Sequence, residues 1–247
     1  MPPYRHLSNL VRRRAITFRN AVRAAHDDGG RPAAVREAAQ LFGELVARPV
    51  RRQRERRLDR AFNLDTAGLS VDATTTAATF DDAVAYSPIP IHHFRTLMRQ
   101  LPVTAPSDFA FVDLGCGKGR TLILAAEHGF RPVVGVELDA RLSAVGRSNA
   151  FAYAAASNHS EPVIAVVTTD AVDYTLPPSP TVVFLFNPFG PDTLSAVLAN
   201  LERSIKEHPR RLIVAYFNPV HEQVLADSPA LRRTSNARHW SIYESAS

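Results

Sequence analysis

Hydrophobic positions in this chain change rhythm once. Before residue 104 they recur at helical spacing, and from Phe109 onward they come as short continuous runs divided by helical stretches. Leu7, Leu10, Val11, Phe18 and Val22 share one face of a period of about 3.6 residues. Asp27-Asp-Gly-Gly30 breaks that pattern, and Pro32 opens a second stripe of Val35, Ala39, Phe42 and Leu45. The spacing then dissolves between Ala61 and Thr79, which predicts a loop. Ile91, Phe94, Leu97, Met98 and Leu101 predict another helix, stiffened at its entry by Pro88 and Pro90.

The second regime predicts strands at Phe109–Leu114, Pro132–Leu138, Val163–Thr168, Thr181–Phe186 and Leu212–Phe217. Helical stretches lie between them, near Thr121–Glu127, Arg141–Ala154 and Asp192–Glu207. Strands spaced by helices imply right-handed crossovers and a doubly wound, mostly parallel α/β sheet covered on both faces. A last run, His239–Glu244, follows the fifth strand through a hairpin-like stretch, which predicts an antiparallel strand at the sheet's edge. The expected organisation is an N-terminal helical, Arg-rich cap over 1–104 and an α/β domain over 105–247.

Composition narrows this only a little. No apolar run is long enough to span a bilayer, so no membrane span is expected. Cys116 is the only cysteine, which rules out an intrachain disulfide and a cysteine-based zinc cluster. The net charge of +5 is uneven: residues 1–60 hold 15 arginines and 6 acids, or +9, leaving −4 for the rest. Such asymmetry suits either a solvated helical face or an anionic partner such as nucleic acid. The acid-free first 26 residues look like a transit peptide, but the helical pattern runs past them. A bacterial cytoplasmic protein is the expectation.

The candidate chemistry starts in Asp113-Leu-Gly-Cys-Gly-Lys-Gly-Arg120, where a strand meets a glycine turn and then a helix. Missing Cβ atoms at Gly115 or Gly117 suggest that a ligand sits above the strand end. The other strand ends carry Glu137, Asp170 and Asn187. Arg120 stands where a dinucleotide loop needs its third glycine, and no Walker loop is present. Carboxylates at strand ends suit ribose hydroxyls and cationic groups better than a pyrophosphate. His92 and His93 are neighbours on a helix, about 100° apart, and no metal site is assigned.

Val112–Gly119 resembles the first motif of the class I S-adenosylmethionine (SAM)-dependent methyltransferases. Val134-Gly-Val-Glu-Leu-Asp139 and Phe186-Asn-Pro-Phe-Gly190 are similar to that family's second-strand and fourth-strand motifs, in order and in spacing. The resemblance covers about residues 86–247. It implies a seven-stranded Rossmann-like sheet with an antiparallel final strand, and SAM as cofactor with S-adenosylhomocysteine (SAH) as product. It implies that Gly115, Cys116, Gly117 and Gly119 surround the methionine end of the cofactor, with Asp113 beneath its ammonium. Glu137 would take the ribose hydroxyls, and Asp170 with Ala171 would meet the adenine.

Asn187-Pro-Phe189 bears on the acceptor. Pro188 is expected to hold Asn187 extended, so that its amide oxygen can accept an N–H from an incoming amine. Phe189 would pack against a planar or cationic group. Tyr86-Ser-Pro-Ile-Pro90 is similar to the Tyr-x-Pro segment of non-SET protein-lysine methyltransferases, which implies that Tyr86 lines the reaction centre. The expected reaction is methyl transfer to a nitrogen of a protein side chain or a small-molecule amine. The alternatives are a small-metabolite O-methyltransferase with His92 or His93 as base, and a nucleic-acid-binding or nucleic-acid-methylating protein that uses the basic N-terminus.

Overall fold

The computed structural model of the chain describes residues 35, 53, 56–66, 87–157 and 163–246. The two N-terminal stripes apart from Val35, most of the arginines of residues 1–60, the loop from residue 67 onward and Tyr86 lie outside the described residues. By its contacts the chain divides into two units, Met1–Arg54 and Glu55–Ser247.

Within the second unit, α1 (Ile91–Gln100) begins directly after Pro90 and buries Ile91, Phe94, Leu97 and Met98, the stripe read from the sequence. Then β1 (Ala110–Leu114), α2 (Arg120–His128), β2 (Val133–Glu137), α3 (Ala140–Ala156), β3 (Ile164–Thr168) and β4 (Thr181–Phe186) alternate. They are followed by α4 (Pro191–Glu207), β5 (Leu212–Phe217), α5 (Glu222–Ala226), β6 (Leu231–Ala237) and β7 (Trp240–Ser245). The strands form one seven-stranded sheet in the order β3-β2-β1-β4-β5-β7-β6. All pairs from β3 to β5 are parallel, and β7 runs antiparallel to both β5 and β6. Seven strands with an antiparallel last one is what the resemblance implied.

One expectation needs correction. The antiparallel strand does not close the edge, because β6 pairs with its far side. The sequence hides β6: Leu231-Arg-Arg-Thr-Ser-Asn-Ala237 has one buried residue in seven and a register irregularity between Arg233 and Ser235. An edge strand with a solvated face and charged residues reads as a polar connection, and those charges also guard the edge against another strand.

Alternation along each central strand sorts its side chains onto two faces. Phe111, Phe184, Ile213, Ala215 and Phe217 pack with Phe94 of α1, Leu122 and Ile123 of α2 and Tyr153 of α3. Val112, Leu114, Val183, Val214 and Tyr216 pack with Leu194, Val197 and Leu201 of α4 and Leu225 of α5. Helices therefore cover both faces: β1 and β5 are buried at every position, and β4 at every position but its last, Phe186. The strand order reverses between β1 and β4, so the turns after these two strands face each other, where open α/β sheets form a crevice. Among the described residues no helix is long and apolar enough to cross a membrane.

Candidate functional site

Leaving β1, the chain stays tied to β2: the N–H groups of Gly115 and Cys116 both donate to the Val136 carbonyl, at 2.9 and 3.0 Å. Gly115, Gly117 and Gly119 then take φ of +91°, +54° and +78°, the left-handed region that favours glycine. Gly119 caps α2 in that conformation. At Gly115, however, a Cβ would not enter ligand space. It would stand 2.7 Å from the Pro188 Cβ, so the missing side chain makes room for the β4 turn. Gly115→Ala should therefore destabilise the fold by about 2–3 kcal/mol, from backbone strain and overlap together. A denaturant midpoint equal to wild type would remove that contact from the account.

Cys116 is packed from below. A Cβ on Gly135 of β2 would lie 2.6 Å from both Cys116 Sγ and Leu122 Cδ1, so the strand glycine accommodates the thiol. Cys116 is free and buried, and burial pushes its thiol well above the usual range. Its side chain is a packing element, and only its backbone borders the turn.

Two carboxylates sit under this turn. Glu137, at the end of β2, accepts from the Gly117 N–H at 2.8 Å and from the Asp139 N–H at 2.9 Å. Its neighbour Leu138 is 38% exposed, unusual for a large apolar side chain beside buried residues. Asp113 is 2% exposed and accepts from the Thr121 hydroxyl at the start of α2. Burial pushes Asp113 up from an ordinary 3.8 to about 7, against the Thr121 hydrogen bond, with the nearby Glu137 charge adding to the rise. Burial also raises Glu137, although the Asp139 and Gly117 N–H groups favour its ionised form. The site thus places two buried acids beneath one glycine turn.

Residues 64–66 strap the far end of the turn. Asn149 of α3 donates to the Asp65 and Lys118 carbonyls at 3.0 and 2.9 Å and accepts from the Asp65 N–H at 2.8 Å. Lys118 Nζ reaches both Asp65 oxygens at 3.2 Å. Arg120, 2% exposed, donates to Thr66 Oγ1 at 2.9 Å and to the Ile89 carbonyl at 3.4 Å. Arg120, in the position of a dinucleotide loop's third glycine, is therefore a buried anchor for two segments N-terminal to the turn. Sequence reasoning missed Thr121, Asn149 and this strap; only the arginine in a glycine's place marked it.

Across the crevice, Asn187 is half-buried, and its φ of +41° corrects the expected extended conformation. An extended Asn187 would carry β4 onward, whereas the left-handed turn, which asparagine tolerates, drops Pro188 onto Gly115. Its Oδ1 accepts from the Tyr216 hydroxyl at 3.2 Å, a partner not foreseen from sequence. Phe189 is half-buried and packs against the α4-side core. Asp170 Oδ1 accepts the Val172 N–H at 3.0 Å, closing a turn in which Ala171 is buried. Asp113, the glycine turn, Glu137, Asp170 and Asn187 all occupy the carboxyl edge of the sheet, while Tyr86 lies outside the described residues.

No family model matches the sequence, and no curated protein does. Solved structures with a similar fold include an RNA methyltransferase from Salinibacter ruber in complex with SAH. It is 19% identical, with a TM-score of 0.43 over 64% of this chain and 92% of that one. A ribosomal protein L11 methylase from Lactobacillus delbrueckii subsp. bulgaricus is 16% identical, with a TM-score of 0.44 over 74% and 83%. A geranyl diphosphate C-methyltransferase from Streptomyces coelicolor A3(2), in complex with Mg2+, geranyl diphosphate and SAH, is 17% identical. Its TM-score is 0.42 over 59% of this chain and 60% of that one.

Proposed function

We infer that the chain is a SAM-dependent methyltransferase that acts on nitrogen. The observation that carries this reading is the pair of buried acids, Asp113 and Glu137, beneath a left-handed glycine turn at the switch point of the sheet. Both carboxyls are raised by burial, so a ligand that brings positive charge and hydroxyl donors satisfies them, whereas a pyrophosphate would not. SAM carries an ammonium and a ribose diol, and when bound it supplies an electrophilic methyl on a sulfonium.

In this reading Asp113 holds the ammonium beside the backbone of Gly115, Cys116, Gly117 and Gly119. Glu137 uses two of its lone pairs on backbone N–H groups, and the others are left for the ribose hydroxyls. Leu138 covers a face of the adenine, and Asp170 with Ala171 borders its edge. Asn187 accepts an acceptor N–H through Oδ1, which aims the nitrogen lone pair, while the Tyr216 hydroxyl fixes the amide's orientation. Positioning of this kind is most of what an in-line methyl transfer needs from a protein. Pro188 locks the turn, and Phe189 backs it.

The test starts with the full chain, methyl-labelled SAM and a fractionated lysate, followed by protease, nuclease or size filtration to class the labelled product. Asn187→Ala should then lower turnover by about 100-fold while SAH affinity stays within about twofold. Equal losses in both, or none, would count against the role given to Asn187.

A further inference from the structure

The sequence Phe-Asn-Pro occurs twice in the chain, as Phe186-Asn187-Pro188 and as Phe217-Asn218-Pro219. Both copies end strands, and those strands are neighbours: β4 and β5 run parallel, with Phe186 in register with Phe217. The two phenyl rings meet edge-on at 4.9 Å between centroids. Asn187 and Asn218 therefore leave the sheet side by side, from strands about 5 Å apart. Each takes a left-handed φ, +41° and +52°, which asparagine tolerates. The Tyr216 hydroxyl of β5 ties the two corners together. It donates to Asn187 Oδ1 at 3.2 Å and accepts from the N–H of His221, which follows the second corner, at 3.4 Å. To reach that hydroxyl, the Asn187 carboxamide leans from β4 toward β5. Backbone bonds hold the second corner: the Asn218 N–H donates to the His239 carbonyl at 2.7 Å, and the Val220 N–H to the Asn218 carbonyl at 2.9 Å. Asn218 is exposed at the crevice edge.

The two halves of the sheet thus offer different chemistry. Asp170, Glu137 and Asp113 lie at the carboxyl ends of β3, β2 and β1, while carboxamides follow β4 and β5. The acids suit the ammonium and hydroxyls of the cofactor, which leaves the amide side for the acceptor. A carboxamide oxygen has two lone pairs, so Asn187 Oδ1 keeps one beyond the Tyr216 bond, and Asn218 brings a second oxygen next to it. An uncharged NH2 group held by one such oxygen can still rotate. Held by two, its lone pair points in one direction. We propose that Asn218 completes the acceptor subsite and selects a nitrogen with two N–H bonds, which receives a single methyl. The proposal rests on the methyltransferase reading and sharpens its acceptor from any nitrogen to an NH2 group. The nitrogen lone pair forms the new N–C bond, the C–S electron pair stays on sulfur as the thioether of SAH, and the nitrogen then loses a proton to water. The product keeps one N–H, so a second transfer would set the first methyl against one of the two oxygens.

Acetamide, N-methylacetamide and N,N-dimethylacetamide are uncharged probes with two, one and no N–H bonds. Each is titrated into the full chain saturated with SAH, and the side-chain NH2 signals of Asn187 and Asn218 are followed by NMR. Acetamide should shift both signals together, and each N–H removed should weaken binding about fivefold, the effect of one neutral hydrogen bond. Asn218→Gly keeps the left-handed turn and deletes the carboxamide. It should bind acetamide about fivefold less tightly, with no preference left over N-methylacetamide. Asn218→Asp keeps an acceptor oxygen and should keep the preference. With methyl-labelled SAM and the fractionated lysate, mass spectrometry should find one added methyl per nitrogen with the wild type and a second with Asn218→Gly. Calorimetry with SAH confirms that each variant is folded and separates two kinds of failure. SAH binding with equal responses to all three probes or to none, a shift at one asparagine only, a preference unchanged in Asn218→Gly or lost in Asn218→Asp, or anything but a monomethyl product from the wild type would overturn the second carboxamide alone. Absence of SAH binding in the wild type would overturn the methyltransferase reading beneath it.

Discussion

Replacing Glu137 by glutamine should lower SAH affinity by about 1000-fold, measured by calorimetry on the full chain. Each ribose hydroxyl donating to an ionised carboxylate contributes about 1.5–3 kcal/mol, so two come to about 4 kcal/mol, or three orders of magnitude. Glutamine keeps an acceptor oxygen but presents an NH2 in place of the second one. That oxygen also holds a backbone amide: Glu137 Oε2 accepts from Gly117 and Oε1 from Asp139, so the amide group must face one N–H with another. The turn would lose its tie to β2 and the diol would lose a partner at once. Thermal stability distinguishes the two effects. A loss in affinity with an unchanged melting temperature would assign Glu137 to the ligand, and an equal loss in both would assign it to holding the turn. SAH affinity unaltered by the substitution would remove Glu137 from the cofactor site.

The parts of this site that were legible in sequence are those where composition has one physical solution. Gly115, Gly117 and Gly119 are readable because only glycine sits easily at φ of +91°, +54° and +78°. Asp113 and Glu137 are readable because an acid at the end of an apolar run must meet something polar. The Asn187 turn was read with the wrong geometry, since asparagine's tolerance of the left-handed region competes with the extended bias of a residue before proline. The strap was not legible: Asp65 and Asn149 are 84 positions apart, and polar residues with that separation carry no periodic signal. The packing of His93 on Phe217 was hidden for a similar reason: the two residues come from α1 and β5, far apart in sequence. Strand β6 was missed because a mostly solvated edge has no alternation to read.

Asp113 makes the folded protein sensitive to pH in a direction opposite to that of a salt-bridged acid. Its folded-state value is about 7 against an ordinary 3.8, so between these limits the folded chain binds a proton that the unfolded chain has released. The stability associated with that proton is fully present below pH 3.8 and is lost as pH rises through about 7. The span of about three units corresponds to roughly 4 kcal/mol. Asp113→Asn removes the ionisation and keeps an oxygen to accept the Thr121 hydroxyl. Thermal melts of the ligand-free full chain should therefore show wild-type stability falling from pH 5 to pH 8, in the window those values set. The variant should be flatter and more stable at the alkaline end, keeping the slopes of the other shifted groups, downward from the raised Glu137 and upward from the lowered His128. A ligand ammonium beside Asp113 favours the ionised carboxylate, so SAH binding to wild type below pH 7 should release a proton. Calorimetry in two buffers of different ionisation enthalpy reads that proton directly. Asp113→Asn should abolish its release and weaken SAH although it stabilises the free protein, because the charge that costs stability is the one that binds. Parallel melting profiles for the two proteins, or no proton release in the wild type, would show that Asp113 does not carry the charge that meets the cofactor.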